Sequence, residues 1–231
     1  MSMTHAVNVS VYRNLAYDLV RDFAPVTQIA SSPSVVVVHP SLPVKSIREL
    51  VALAKARPGA LDYASTGAGT ATFLAAELFK ALAGINMLHV PYRGGGEALT
   101  AVVAGEVPVY FAPLAPALPQ IQQGRLRPLA VTTSQRLALL PAYPTVAESG
   151  YAGYQSGNWY GLVVPVKTPK DTIVTIRNAV VAALNNPVVS KRMVDLGYIS
   201  VGDQPEEFAA HIKSEIETLA KIVRQTGVTA N

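Results

Sequence analysis

Residues 61–84, Leu61-Asp62-Tyr63-Ala64-Ser65-Thr66-Gly67-Ala68-Gly69-Thr70-Ala71-Thr72-Phe73-Leu74-Ala75-Ala76-Glu77-Leu78-Phe79-Lys80-Ala81-Leu82-Ala83-Gly84, join a short β-prone run to an amphipathic stretch through a glycine turn. The run predicts a strand over 61–64. Leu74, Leu78 and Leu82 recur every four residues and predict a helix from about 72 to 83, closed by Gly84. Gly67 and Gly69 let a backbone come close to a ligand. The N–H groups at the start of the helix, with the helix dipole and the hydroxyls of Thr66, Thr70 and Thr72, suit a carboxylate or a phosphate. A tight turn that needs glycine only for its own geometry fits the same residues, and the segment alone leaves both readings open.

Outward from this unit the pattern repeats. Strands are predicted at Val35–Val38, Met87–Val90, Val107–Phe111 and Leu129–Thr132, separated by amphipathic stretches, which is the signature of an α/β fold. Ser46 with Glu49 three residues on forms a capping box ahead of Ile47, Leu50, Val51 and Ala54, and Pro58-Gly59 ends that helix. A second glycine turn, Gly94-Gly95-Gly96, follows Val90-Pro91-Tyr92-Arg93 and again precedes a helix; it reads best as a structural turn. After Ala142 the texture becomes turn-rich, with Tyr143-Pro144, Gly150, Gly153 and Gly157 before a strand-like Trp159–Val164. Thr168-Pro169 is expected to cap and open a helix reaching about Asn186. The last helix is expected to start near Asp203, with Phe208, Ile212, Ile216, Leu219 and Val223 at helical spacing.

With 231 residues, half of them hydrophobic and 15% charged, the chain has ample material for one large core or two modest ones. The absence of cysteine removes disulfides, thiolate metal sites and a cysteine nucleophile together. The net charge of +4 is scattered, with no basic run or Arg/aromatic stripe, so no nucleic-acid partner is expected. No apolar run approaches the roughly 20 residues of a membrane span. Met1-Ser2-Met3-Thr4-His5 has no basic region followed by an apolar stretch, which leaves a cytoplasmic chain or a trimmed form of an exported one as the expectations.

Nucleotide readings of the glycine turn fail on residue identity. A phosphate-binding loop needs Gly-Lys-Ser/Thr at its end, and a dinucleotide fingerprint needs a third glycine where Thr72 stands and an acid after the next strand, where His89-Val90 occurs. His5, His39, His89 and His211 are widely spaced, without metal-binding spacing or a Gly-x-Ser-x-Gly elbow, and each reads as a surface or satisfied core residue. Ser65 or Thr66 would become a nucleophile only if the fold brought a histidine to it, which nothing in the sequence requires.

Several ordered motifs resemble one family. They are Asp22-Phe23-Ala24-Pro25-Val26-Thr27, the Ser65–Thr72 turn with Leu74-Ala75-Ala76-Glu77-Leu78-Phe79, and His89-Val90-Pro91-Tyr92-Arg93-Gly94-Gly95, followed by Leu129-Ala130-Val131-Thr132, Pro144-Thr145-Val146-Ala147-Glu148-Ser149-Gly150 and Trp159-Tyr160-Gly161. Together they resemble the Bug-type receptors of tripartite tricarboxylate transport systems over essentially the whole chain. The resemblance implies a two-domain periplasmic-binding-protein-like fold of type II. Residues 33–155 would form an inserted α/β domain, and 1–32 with 156–231 an end-domain. It further implies a periplasmic location, membrane transporter subunits as partners, no cofactor and no chemistry, with a small carboxylate or dicarboxylate held between the domains.

By the same resemblance the ligand residues are Thr4 and His5 on one wall, and Ser65, Thr66, Gly67, Ala68, Gly69, Thr70 and Ala71 on the other. Phe73 and Trp159 would be apolar walls, although Trp159 by itself reads as a core residue. Two departures stand out. Phe73 occupies a position where the family usually carries histidine, and the family has strands, helices and a Pro/Gly-rich loop before the position matching Met1. The end-domain is therefore expected to be incomplete, with an uncovered edge that favours a homo-oligomer. The rival readings are a small enzyme acting on an organic acid, a remnant of the receptor fold without ligand binding, and the effector domain of a regulator. The last would need a helix-turn-helix segment that is not seen.

Overall fold

Four consecutive valines, Val35–Val38, are all fully buried, because the strand they end is covered on both faces and has no solvent side on which to place polar residues. In the computed structural model, which describes residues 1–12 and 14–226, this strand is β1, Phe23–Val38. It is much longer than the four residues the sequence suggests. Its polar middle, Ser31-Ser32-Pro33-Ser34, reads as a loop in one dimension, yet in the fold it remains extended. The chain divides here and once more later, into Met1–Ser32 with the segment from Asn158 onward, and Pro33–Gly157.

In the Pro33–Gly157 unit the strand order is β3-β2-β4-β1-β5, with β2 at Asp62–Ser65, β3 at Leu88–Pro91, β4 at Val109–Pro113 and β5 at Arg127–Val131. β2 is parallel to both β3 and β4, while β1 is antiparallel to β4 and β5. One face is filled by Val35, Val37, Ala64, Tyr110 and Ala112 packed against Ala98, Leu99, Val102 and Leu114 of α4, Gly95–Val103, and α5, Leu114–Gln122. The helix α2, Ile47–Ala56, starts where the capping box requires: Ser46 Oγ accepts the Glu49 N–H at 3.2 Å. The Glu49 carboxylate reaches one residue further back than expected, to the Lys45 N–H at 2.7 Å.

The helix after the glycine turn, α3 at Ala71–Ala83, is turned relative to the predicted stripe. Its buried face is Thr72, Phe73, Leu74, Ala75, Ala76, Phe79 and Ala83, and Leu82 is 45% exposed. Small residues let the helix sit close to the sheet, and Phe79 does the filling against Phe111, Tyr151 and Tyr154. The leucine repeat misleads because alanine, not leucine, marks the contact face here. Gly84 ends the helix in the left-handed conformation, φ 61°, as its position predicts.

The other unit contains α1, Met3–Val11; the first part of β1; β6, Gly157–Pro165; α6, Lys170–Leu184; α7, Pro187–Asp195; β7, Ile199–Ser200; and α8, Pro205–Thr226. Both β6 and β7 pair with β1. Pro169 rather than Thr168 stands at the N-cap of α6, without a side-chain cap bond. Asp203 does not cap α8 either. Its carboxylate accepts from the Gln28 N–H at 2.6 Å and the Thr27 hydroxyl at 3.1 Å, so the acid ties a loop to β1. A Cβ on Gly161 would lie 2.1 Å from Cζ of the fully buried Phe208, so glycine is required there by close packing and not by backbone angle.

Candidate functional site

The 65–70 turn leaves the C-terminal end of β2 and opens α3. Gly67 and Gly69 have φ of 110° and 76°, conformations that a residue with a Cβ adopts only under strain. Between them the turn is braced from inside. Thr72 Oγ1 accepts the Thr66 N–H at 3.0 Å and lies 3.0 Å from Thr66 Oγ1 and 3.2 Å from Thr70 Oγ1.

Thr70 is the N-cap of α3, yet its hydroxyl donates to the Gly67 carbonyl at 2.7 Å and does not cap the helix. Among the described residues, the N–H groups of Ala68, Gly69, Ala71, Thr72 and Phe73 meet no acceptor, and no acidic residue lies in the first turn. A helix start left this way forgoes about 1 kcal/mol of capping energy and concentrates the positive end of the helix dipole on a partly exposed surface. The arrangement can take an oxyanion.

Behind the turn lies a cluster that sequence reasoning did not find. Ser65 is fully buried; its Oγ accepts the Gly67 N–H at 3.0 Å and lies 2.5 Å from His89 Nε2. Parallel pairing of β2 with β3 sets Tyr63 opposite His89, and the two rings stack at 5.2 Å. Phe73 meets the same imidazole edge-on at 4.7 Å. The Tyr63 hydroxyl donates to Glu77 at 2.6 Å, Lys80 pairs with the same carboxylate at 2.6 Å, and burial with that carboxylate pushes the Tyr63 phenol far above its ordinary value. Burial holds the His89 imidazole below its usual range, with Glu77 opposing and Lys80 assisting. The only available signal was the strand pairing itself: once β2 and β3 are neighbours in register, 63 and 89 share a face.

The expected residues therefore separate. Thr66, Gly67, Ala68, Gly69, Thr70 and Ala71 form one turn. Ser65 belongs to the bracing beneath it, a correction to its expected role as a contact residue, because no part of it reaches solvent. Phe73 is 7% exposed and packs inward on His89, which leaves little of it to serve as a wall. Thr4 and His5 belong to the other unit, exposed on α1, where His5 Nδ1 accepts the Ser2 N–H at 3.2 Å. Trp159, expected as a wall, is 4% exposed in the core of that unit: its ring meets Phe208 at 5.6 Å and His211 at 5.2 Å, and its indole N–H donates to Glu215 at 3.0 Å.

The second glycine turn opens α4 without a side-chain cap, but Glu97 in its first turn accepts the Arg93 N–H at 3.1 Å. Beneath it the Tyr110 hydroxyl is buried without a partner among the described residues, and its phenol is pushed up to about 12 by burial. Among the described residues no group of His, Cys, Asp or Glu is arranged to hold a metal ion, and no helix is long and apolar enough to cross a membrane.

The architecture is that of a periplasmic-binding-protein-like α/β fold. The chain resembles the structure described as R. palustris Rpa4515 with adipate at TM-score 0.87 and 33% identity, covering 99% of this chain and 77% of that one. It resembles the periplasmic binding protein BugD at TM-score 0.86 and 27% identity, covering 100% and 78%. MatC (Rpa3494) from Rhodopseudomonas palustris with bound malate is similar at TM-score 0.83 and 27% identity, covering 96% and 77%. The chain belongs to the tripartite tricarboxylate transporter family of receptors, whose profile matches residues 1–228. Among its relatives, a UPF0065 protein from the tcbD-tcbE intergenic region of Pseudomonas sp. (strain P51) is 35% identical over 95% of this chain and 66% of its own length. Protein BugT of Bordetella pertussis is 32% identical over 96% and 68%. The chain thus spans about two thirds of the length of these curated relatives.

Proposed function

We propose that this chain is a solute receptor that takes one carboxylate group of a small mono- or dicarboxylate on the Thr66–Ala71 turn and releases it unchanged. The observation that carries this is the open start of α3, where the capping hydroxyl of Thr70 is turned onto Gly67 and the N–H groups of Ala68, Gly69 and Ala71 are left for an outside acceptor. An oxyanion there gains hydrogen bonds from donors already fixed in place, so little ordering is needed when it binds. Similarity to proteins described with adipate and with malate supports a small organic acid as the solute. In this reading the receptor works outside the cytoplasmic membrane and delivers its solute to the membrane subunits of a tripartite tricarboxylate transporter. The Ser65–His89 pair does not argue for an esterase-like enzyme, because a fully buried hydroxyl cannot reach a substrate carbonyl.

A thermal-shift screen over mono- and dicarboxylates of about three to eight carbons, adipate and malate included, tests the proposal. At a concentration 100 times the Kd, binding adds about 2.7 kcal/mol, which for a chain of this size raises the melting temperature by roughly 5–10 °C. No shift with any acid would refute a carboxylate receptor, and disappearance of the acid during incubation would favour the enzyme.

A further inference from the structure

The turn that offers its N–H groups outward is fastened inward by the Thr72 hydroxyl and, beneath Gly67, by that of Ser65. Ser65 Oγ accepts the Gly67 N–H at 3.0 Å and lies 2.5 Å from His89 Nε2, and the arrangement that leaves no buried hydroxyl proton unpaired is the one in which Nε2 accepts it. In that arrangement the imidazole is the neutral tautomer with its proton on Nδ1. Its plane is fixed by the Tyr63 ring on β2 and the Phe73 ring on α3. We propose that His89 is a positioning residue for solute capture: by taking the Ser65 proton it holds Ser65 Oγ against the Gly67 N–H, and so sets the course of the backbone that carries the free donors. The proposal rests on the carboxylate reading and adds to it a residue that touches no solute.

The proposal has a pH signature. The groups facing the ring are Tyr63 and Ser65 from β2, and Phe73 with the Glu77–Lys80 pair from α3. Burial is the main influence and favours the neutral ring, so the folded imidazole titrates below the ordinary value of about 6.5. At neutral pH Nε2 accepts. When the ring charges, Nε2 becomes a donor, Ser65 Oγ faces two donors, and its own proton loses its acceptor. Capture is therefore intact above the ordinary imidazole value and weakens as pH falls through the lowered one.

The test compares the wild-type chain with His89→Gln, whose amide oxygen accepts the Ser65 proton but does not titrate, and with His89→Leu, which offers no acceptor. Adipate binding is measured by calorimetry at pH 7.5 and pH 5.0. At pH 7.5 the Leu variant is expected to bind about tenfold more weakly, the scale of one buried hydrogen bond, and the Gln variant to stay within about threefold of wild type. At pH 5.0 the wild type is expected to lose at least about threefold more affinity than the Gln variant, which subtracts the titration of adipate itself. Equal affinity of the Leu variant, superimposable pH profiles for wild type and Gln, or nitrogen NMR shifts that place the proton on Nε2 would overturn the proposal. If wild type binds no adipate at all, the carboxylate reading fails for this acid while the positioning claim is still decided by hydrogen exchange. Protection of the Gly67 amide lost in Leu and kept in Gln supports it, and protection equal in all three refutes it. If the Leu variant does not fold, the Gln profile and the wild-type tautomer carry the decision.

Discussion

The 65–70 turn and the Gly94-Gly95-Gly96 turn occupy equivalent places, each leaving a parallel strand at its C-terminal end and opening a helix, and the second is the richer in glycine. Both helix starts leave N–H groups without an acceptor among the described residues, at α4 those of Gly95, Gly96 and Glu97, and they differ in the charge set beside those donors. At α4 the chain supplies its own acid: Glu97 sits in the first turn, favourable to the helix dipole, and closes the Arg93 N–H. At α3 no acid lies in the first turn and the cap hydroxyl is directed away. Neither glycine content nor open N–H groups alone therefore mark an anion site; α3 is set apart because no acid of its own lies in its first turn, whereas Glu97 would repel an anion at α4.

The comparison is broken most severely at Gly69. A Cβ there would meet nothing within 4 Å, so bulk alone blocks nothing inside the protein, but φ of 76° is one that a β-branched residue does not hold. Gly69→Val is expected to cost about 1–2 kcal/mol of stability through backbone strain and to weaken adipate binding by about 100-fold or more as the turn re-forms. Gly95 has no left-handed φ, and the nearest atom to an added Cβ is the Tyr110 hydroxyl at 3.8 Å. Gly95→Ala is expected to leave affinity within about twofold and stability unchanged or slightly raised. Denaturant melts and calorimetry on both variants check this; similar losses at the two positions would erase the distinction.

A smaller effect is expected from Thr72→Val, which keeps shape and removes one hydroxyl. That oxygen accepts the Thr66 N–H and lies within 3.2 Å of the hydroxyls of Thr66 and Thr70. Its loss leaves a partly buried donor unpaired, worth about 1–3 kcal/mol, and loosens the outer loop. Adipate affinity should fall by about tenfold with the melting temperature lowered by a few degrees. An unchanged affinity would show that the hydroxyl brace stabilises the fold without shaping the donors.

Much of the α/β unit is legible in one dimension because its signals are local. The valine run, the Ser46 cap and the Gly84 stop each follow from neighbours in sequence, and strand edges, the start of β1 apart, shift by only one or two residues. What was not legible depends on partners far along the chain. The middle of β1 is polar and holds Pro33, so nothing local marks it as strand. In the fold Ser34 is kept extended by Thr132, whose hydroxyl donates to the Ser34 carbonyl at 2.9 Å while Ser34 N–H approaches the same oxygen at 3.2 Å. Asp203 reads as a cap from its spacing to Glu206, but the pull of Gln28 and Thr27, about 175 residues away, wins. The glycine turn was readable as a candidate; that Ser65 points to His89, and Thr70 to Gly67, required the sheet register and the helix rotation, which no residue pattern encodes.

The smallest effect is expected at Arg93, and it decides whether charge or backbone geometry governs capture. Arg93 is exposed beside the second turn and makes no ion pair among the described residues, so an anion drawn to that turn would use it. If the solute instead meets the fixed N–H dipoles of the first turn, Arg93→Gln should change adipate affinity by less than about twofold. The affinity of either protein should then fall by no more than about threefold between low and half-molar salt, because dipoles held in place close to the anion are screened far less than a solvated side-chain charge. A steep salt dependence that disappears in the Gln variant would transfer the anion to Gly94-Gly95-Gly96 and reverse the assignment of the two turns. Flat curves for both proteins would exclude the Arg93 charge from capture and leave the acid-free start of α3 as the property that separates the two turns.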